Sequence, residues 1–189
     1  MSQQLKAIQK VLKENASATT VASHQKFVPG LTKIYGVKMP VLNQLAKEFK
    51  EGGFQLVEEL GDSDYIEEKV LAAKLLGNIA KKNPEKAFQL FNHFSASIDN
   101  WALCDALGMQ SLKPLVKTHA KEMFALAKKY NCSQNLWQRR LSLVMVEWYT
   151  RDYNYHTAIL QLVNNLKNDK EYYVKKAIVW IKRNLEKGR

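Results

Sequence analysis

The sequence predicts an all-α fold, a HEAT-like helical-repeat solenoid with a concave basic face, formed by a single domain over residues 1–189. Apolar residues recur with a helical period in almost every segment, and no segment alternates polar and apolar residues as a half-buried strand does. Pairs of predicted helices recur about every 35 to 40 residues, which is the spacing of helical repeats. No consensus motif repeats with them, so an ordinary helical bundle is the alternative.

The first half of the chain shows the helical pattern clearly, since Leu5, Ile8, Val11 and Leu12 share one stripe of the first helix. Proline and glycine separate the segments that follow, because they end or open helices. The predicted helices cover residues 2–14, 19–27 closed by Pro29-Gly30, 40–49 opened by Pro40 and ended by Gly52-Gly53, 54–60, 64–82 with an amphipathic pattern, and 85–94 opened by Pro84.

The second half contains a central helix around residues 99–107 and four more helices. Ser133 or Asn135 is a candidate N-cap, because both side chains can accept a backbone hydrogen bond at a helix start. The further predicted helices cover residues 114–130, 137–149, 152–166 and 169–187.

Composition limits the class of protein. The 189 residues are 46% hydrophobic and 25% charged, as in an ordinary soluble globular domain. No run of apolar residues is long enough to span a membrane, and the N-terminus lacks the apolar core of a signal peptide, so a cytoplasmic protein is expected. The four histidines are scattered and no glycine-rich phosphate loop occurs, which predicts a site without metal or cofactor. Cys104 and Cys132 are expected to be reduced and packed.

The net charge of +11 is distributed unevenly. Residues 1–100 carry 13 basic and 11 acidic side chains, whereas residues 101–189 carry 16 basic and 7 acidic ones. The basic half also contains all four tryptophans. This pattern favours a polyanionic partner, and nucleic acid before a membrane. A lysine-rich surface without any partner is the alternative.

Asp105 is the best candidate for an acid or base. It lies four residues after Trp101, so the two side chains share one face of the central helix. A carboxylate on an apolar face needs a partner or a shifted pKa. The alternative is that Asp105 only pairs within the fold, with Arg140 as the candidate partner. Asp152 is the second candidate, and its context is typical of a helix-boundary cap.

Three motifs in order carry a resemblance to a known family. They are Trp101-x-x-x-Asp105, Trp137-x-x-Arg140, and Tyr173-Val174-x-Lys176-Ala177-Ile178-x-Trp180. With the early turn Gly36-Val37-x-x-Pro40-x-Leu42, they resemble the AlkD-type DNA alkylation repair glycosylases over about residues 25–186. The resemblance implies a solenoid that binds duplex DNA containing alkylated bases and excises N3- or N7-alkylated purines.

The resemblance also implies roles for individual residues. Asp105 would be the catalytic carboxylate, Trp101 and Trp180 the aromatic walls of the lesion site, and Arg140 the cation that contacts the DNA backbone. Further predicted DNA-binding residues are Arg139, which ranks after Arg140, and Lys175, Lys176 and Lys38.

An alkylated purine is already cationic, so its glycosidic bond breaks without a general acid. A carboxylate then stabilises the oxocarbenium-like sugar and orients water. Together with the resemblance, the sequence predicts a monomeric, metal-free alkylpurine DNA glycosylase. The alternatives are a non-catalytic DNA-binding protein of the same fold and a protein-interaction scaffold.

Overall fold

The computed structural model describes residues 1–28 and 30–188. The described residues form helices and no strand, which confirms the predicted all-α class. The α-helices are α1 (Gln3–Glu14), α2 (Ala18–Phe27), α3 (Met39–Glu48), α4 (Gly53–Gly61), α5 (Ile66–Ile79), α6 (Pro84–Ser95), α7 (Trp101–Gln110), α8 (Ala120–Asn131), α9 (Leu136–Val144), α10 (His156–Asn165) and α11 (Tyr172–Lys187). Pro29, predicted to close α2, lies outside the described residues.

Most of the helices form two rows. In the first, here called the site row, α3, α5, α7, α9 and α11 each contact the next helix of the row. The second row contains α1, α4, α6, α8 and α10, and its helices pack on the site row, as α4 does on α5 and α8 on α9. This regular alternation along the chain confirms the predicted helical-repeat fold.

Side-chain caps explain several helix starts. The side-chain oxygen of Asn100 accepts the backbone N–H of Leu103 at 2.9 Å, which fixes the first turn of α7. Asn135 does the same for the backbone N–H of Trp137 at 2.8 Å, so of the two candidate caps Asn135 opens α9. Caps of this kind contribute about 1 kcal/mol each. These two caps define where α7 and α9 begin, and both helices carry residues of the predicted site.

Helix α5 is the central helix of the molecule. It was predicted over residues 64–82 as an amphipathic helix, but it ends at Ile79, before a 3-10 turn at Ala80–Lys82. Most of its residues are buried, among them the charged Glu67 and Glu68. The amphipathic prediction was wrong because α3, α4 and α7 all pack against this helix.

Three predicted long helices are interrupted. In place of one helix over residues 114–130, a 3-10 turn at Lys113–Leu115 precedes α8. The helix predicted over residues 137–149 ends at Val144, before a 3-10 helix at Glu147–Arg151. The helix predicted from residue 152 starts only at His156.

A polar residue, Asp152, caps the short 3-10 helix that precedes α10. The side chain of Asp152 accepts the backbone N–H of Asn154 at 3.0 Å, which confirms its interpretation as a boundary cap. Local bonds of this type compete with a continuous helix.

Of the two cysteines, Cys104 is fully buried as expected. Cys132 is exposed at the end of α8, so the prediction that it is packed was wrong. Among the described helices, none has the length and apolar character needed to cross a membrane.

Candidate active site

Asp105 and Arg140 form a close ion pair between α7 and α9. The Arg140 Nη2 atom lies 2.8 Å from Oδ1 and 2.9 Å from Oδ2 of Asp105, and Nε lies 3.0 Å from Oδ1. The guanidinium therefore donates three hydrogen bonds to one carboxylate. The sequence left open whether Asp105 pairs with Arg140, and the structure shows that it does.

Arg140 also joins a third helix. Its Nη1 atom donates to the backbone carbonyl oxygen of Tyr173, in the first turn of α11, at 2.8 Å. The Arg140 side chain is 10% exposed, whereas the Asp105 side chain is 35% exposed. The buried cation thus connects α7, α9 and α11, while the carboxylate keeps one side open to solvent.

Burial and Arg140 have opposite effects on the protonation of Asp105. Burial raises the pKa of Asp105 above its ordinary value, and the hydrogen bonds and positive charge of Arg140 limit the rise. Because desolvation dominates, the pKa of this carboxyl lies above that of a solvated aspartate. Displaced pKa values of this kind are common at functional sites.

Trp101 lies one helical turn before Asp105 and is half-buried. Its indole N–H donates to the carbonyl oxygen of Phe27, the last residue of α2, at 3.0 Å. The ring therefore has its polar edge occupied by the protein.

Trp180, the second predicted wall, lies on α11 and is also half-buried against the core. Trp101, Asp105, Arg140 and Trp180 all belong to the site row, on α7, α9 and α11.

Aromatic side chains continue the site along α11. The ring of Trp137 packs on that of Tyr173, with centroids 5.0 Å apart, and Tyr172 meets Tyr173 edge to face at 5.1 Å. The ammonium of Lys176 lies 5.4 Å from the centroid of the exposed Tyr172 ring. Such a combination of cations and aromatic faces is suited to nucleobases and phosphates.

An apolar cavity of about 320 Å³ opens beside Trp101. It lies between α2, α3, α5 and α7, and its polar lining residues are His24 and Glu67. Its apolar lining includes Phe27, Met39, Leu42, Val70, Trp101 and Ala106. A cavity of this size and character can receive a flat apolar group.

The described residues contain no group of three or more His, Cys, Asp or Glu side chains arranged to hold a metal ion. The carboxylate of Asp105 is instead paired with a cation. The functional groups gathered at this site are a carboxylate, a guanidinium and aromatic faces.

The sequence matches the family model described as DNA alkylation repair enzyme over residues 8–188. The chain belongs to the DNA alkylation repair enzyme family. In structure it is similar to a predicted DNA alkylation repair enzyme from Enterococcus faecalis, with a TM-score of 0.78 and 17% sequence identity. The similarity covers 92% of this chain and 84% of that one, and at this identity it shows a shared fold. None of the curated proteins matches the sequence.

The family match confirms the resemblance that the motifs suggested. The remaining predicted DNA-binding residues differ in their surroundings. The Arg139 Nε atom lies 2.6 Å from Oδ2 of Asp169, and Nη1 donates to the carbonyls of Ser133 and Gln134, each at 2.9 Å. Arg139 is therefore committed to the loop before α9 and to the loop between α10 and α11. Its DNA contact remains a prediction, and such a contact would have to compete with these bonds.

Lys38, Lys175 and Lys176 are exposed, and none of them forms an ion pair within the described part of the protein. Lys38 is the N-cap residue of α3, and the other two lie in the first two turns of α11. Their ammonium groups are free to reach phosphates.

Two contacts of the site were missed by the sequence reasoning. The carbonyls of Phe27 and Tyr173 hold Trp101 and Arg140, respectively. Every residue carries a carbonyl, so no residue type indicates such a contact. Glu67 was also missed, although a charged residue within the apolar segment of α5 was a usable signal.

Proposed function

We propose that this member of the DNA alkylation repair family is an alkylpurine DNA glycosylase that works without a metal or cofactor. The observation that carries the proposal is the Asp105 carboxylate, paired with the buried Arg140, open to solvent on one side and on the same helix face as Trp101. The substrate is duplex DNA with an N3- or N7-alkylated purine.

In this mechanism the bond between C1′ of the deoxyribose and the purine nitrogen breaks, and the purine leaves with the electron pair. Because the alkylated base is cationic, it departs as a neutral molecule and needs no proton from the protein. The positive charge that develops on the sugar is stabilised by the Asp105 carboxylate. Asp105 also orients the water that adds to C1′ and accepts its proton.

The aromatic residues give selectivity for the damaged base. The faces of Trp101 and Trp180 attract a cationic purine more than a neutral one, by about 0.5–2 kcal/mol per contact. The indole N–H of Trp101 is already occupied by Phe27, so the ring offers its face. Selection by charge follows from this arrangement.

Arg140 has two proposed tasks. Its Nε and Nη2 atoms donate to Asp105, and its Nη1 atom donates to the Tyr173 carbonyl. We assign these hydrogen bonds to positioning the carboxylate, and each Nη atom carries a second hydrogen. The remaining Nη1 hydrogen is available to a phosphate oxygen next to the lesion. Lys38, Lys175 and Lys176 supply further phosphate contacts.

The alternative function is DNA binding without base release. The observation that favours it is the same ion pair, because three hydrogen bonds from Arg140 are also what a purely structural carboxylate would accept. The two functions differ in a single measurable product, the released base.

The deciding experiment measures release of 7-methylguanine from methylated duplex DNA in the presence of EDTA. We expect release by the wild-type protein and none above background by Asp105→Asn, with DNA affinity retained. Asp152→Asn is the matched control, because Asp152 caps a 3-10 helix and lies outside the site. No release by wild type together with salt-sensitive DNA binding would establish the alternative. Inhibition by EDTA would contradict the metal-free mechanism.

A further inference from the structure

The orientation of Trp101 is tied to a helix outside the two rows. Its indole N–H is bonded to the carbonyl of Phe27 at 3.0 Å, and Phe27 is the last residue of α2. The last carbonyls of a helix have no partner within it, so an external donor such as this indole satisfies one of them. The ring of Trp101 therefore depends on where α2 ends.

Helix α2 has no buried residue of its own. A helix without a buried face gains little from hydrophobic packing, so its place must be set by contacts at its ends. One end is the Phe27–Trp101 bond. The other is the first turn, which lies against the backbone of Gly36.

The approach of α2 to Gly36 is close. A Cβ atom at this position would lie 2.4 Å from the carbonyl oxygen of Ser17 and 2.6 Å from Cγ2 of Val21. Ser17 is the N-cap of α2, and Val21 lies in its first turn. Gly36 also has a φ of +80°, which residues with a side chain rarely adopt. Glycine at this position is thus required twice, by conformation and by space.

The Gly36 turn is itself held by Glu67 of α5. The Glu67 carboxylate accepts the backbone N–H groups of Tyr35 at 3.1 Å, Gly36 at 2.7 Å and Val37 at 3.1 Å. Glu67 is 3% exposed. A buried carboxylate that accepts three backbone hydrogen bonds fixes a turn firmly, since charge-assisted bonds are about twice as strong as neutral ones.

We propose that Glu67 and Gly36 are positioning residues for Trp101, and that α2 is the strut that transmits their position. The strut is 10 residues long, or about 15 Å at the rise of an α-helix. It starts on a turn that is anchored to the central helix and ends on the indole of the candidate lesion site. Its C-terminal end, with His24, Phe27 and Val28, also forms a wall of the 320 Å³ cavity beside Trp101.

A displaced strut has a defined consequence. If the first turn of α2 moves, the Phe27 carbonyl moves with it and the hydrogen bond of the indole N–H breaks. The ring face is then no longer fixed, while Asp105, Arg140, Lys175 and Lys176 keep their places. On the proposed function, which this step assumes, base release falls and DNA affinity does not.

The test uses the indole N–H of Trp101 as a direct reporter, through its ¹H–¹⁵N NMR signal, assigned by its absence in Trp101→Phe. In the Gly36→Ala variant we expect this N–H to exchange with solvent about fivefold faster or more, as for a broken hydrogen bond. Gly53→Ala is the matched control, since Gly53 also has a positive φ of +68° but no atom within 4 Å of a new Cβ. Gly53→Ala should leave the Trp101 signal and its exchange unchanged.

Val21→Ala keeps the proposal testable if Gly36→Ala does not fold. It removes the side chain that touches Gly36 and leaves the turn intact, and we expect faster exchange there too, by a smaller factor. Unchanged exchange of the Trp101 indole N–H in every variant that folds would overturn the proposal that α2 positions Trp101.

Base release separates this proposal from the proposed function. If wild type releases 7-methylguanine, kcat in Gly36→Ala should fall about tenfold to a hundredfold, with the Kd for DNA unchanged. An unchanged kcat together with faster indole exchange would overturn the positioning role. If wild type releases no base, the glycosylase proposal fails, and the NMR result still decides whether α2 holds Trp101.

Discussion

The negative charge of Asp105 is stabilised by Arg140 and destabilised by the burial of the carboxylate. Burial raises its pKa, and Arg140 holds that rise down. The sequence indicated both members of the pair, because the motif intervals put Trp101 and Asp105 on one helix and Arg140 on another. It did not indicate the geometry, since the bond from Arg140 to the Tyr173 carbonyl depends on how α9 packs on α11.

The pH dependence of base release tests this balance. In the proposed mechanism base release requires ionised Asp105, so the rate should fall as the pH falls through the pKa of this carboxyl. That pKa lies above the 3.8 of a solvated aspartate. In Arg140→Lys a single ammonium replaces the fork of hydrogen bonds, so the ionised form is less stabilised and the acid limb should move to higher pH.

The measurement is single-turnover release of 7-methylguanine across an acidic pH series. Arg139→Lys is the matched control, because its guanidinium pairs with Asp169 and does not bond to Asp105. An acid limb at the same pH in Arg140→Lys and wild type would show that Arg140 does not tune the carboxylate.

At the scale of helices, boundaries marked by local signals were predicted well. Asn135 and Pro84 open α9 and α6, and the caps satisfy the first backbone N–H groups. The end of α9 was missed because tertiary packing determines it. Leu141–Val146 is buried without interruption, so this segment has no solvent face and ends inside the core. Hydrophobic periodicity cannot locate such an end, although the long apolar run was a signal that the segment is enclosed.

Close approach of α5 and α7 gives a prediction at the same scale. A Cβ on Gly77 would lie 2.4 Å from the backbone carbonyl oxygen of Gln110 at the end of α7. Overpacking of this kind costs about 1–3 kcal/mol, and the better helix propensity of alanine offsets about 0.5–1 kcal/mol of it. Gly77→Ala should therefore lower the free energy of unfolding, as measured by urea denaturation.

Gly108→Ala is the comparison variant. Its new Cβ would meet side-chain atoms of Val144 and Leu141, the nearest at 2.7 Å, and side chains can repack more easily than backbone. Its decrease in stability should be the smaller of the two. Equal decreases would show that α5 and α7 separate at Gly77 as easily as the side chains around Gly108 repack.

At the scale of the whole molecule, the distribution of charge bears on the proposed binding to DNA. The excess of basic residues lies mainly in residues 101–189, which supply α7, α9 and α11 of the site row. The sequence predicted this from counting alone, because net charge requires no knowledge of packing. It could not predict which cations are free, and the structure separates the engaged Arg139 from the exposed Lys175 and Lys176.

The dependence of DNA affinity on salt tests the two lysines. Removal of one protein–phosphate interaction should reduce the slope of log K against log salt by about 0.9. Lys175→Ala and Lys176→Ala should each give a reduction of this size or less, with little dependence on DNA sequence. The measurement is fluorescence anisotropy of a labelled duplex over a salt series.

Lys128→Ala is the control of equal charge. Lys128 is exposed on α8 of the second row, and its removal should leave the slope unchanged. A slope that falls equally in all three variants would indicate general attraction by net charge and no specific phosphate binding at α11.

The hydrogen bond from Arg140 to the Tyr173 carbonyl makes the completion of the site depend on the order in which the helices are synthesised. A ribosome completes α7 and α9 before it makes α11, so the nascent polypeptide carries Asp105 and its arginine while the Tyr173 carbonyl and Trp180 do not yet exist. A translation product that stops short of Tyr172 therefore contains Asp105 and Arg140 but lacks both the Tyr173 carbonyl that holds Arg140 and the Trp180 side chain. The proposed lesion site is therefore complete only once α11 has been made.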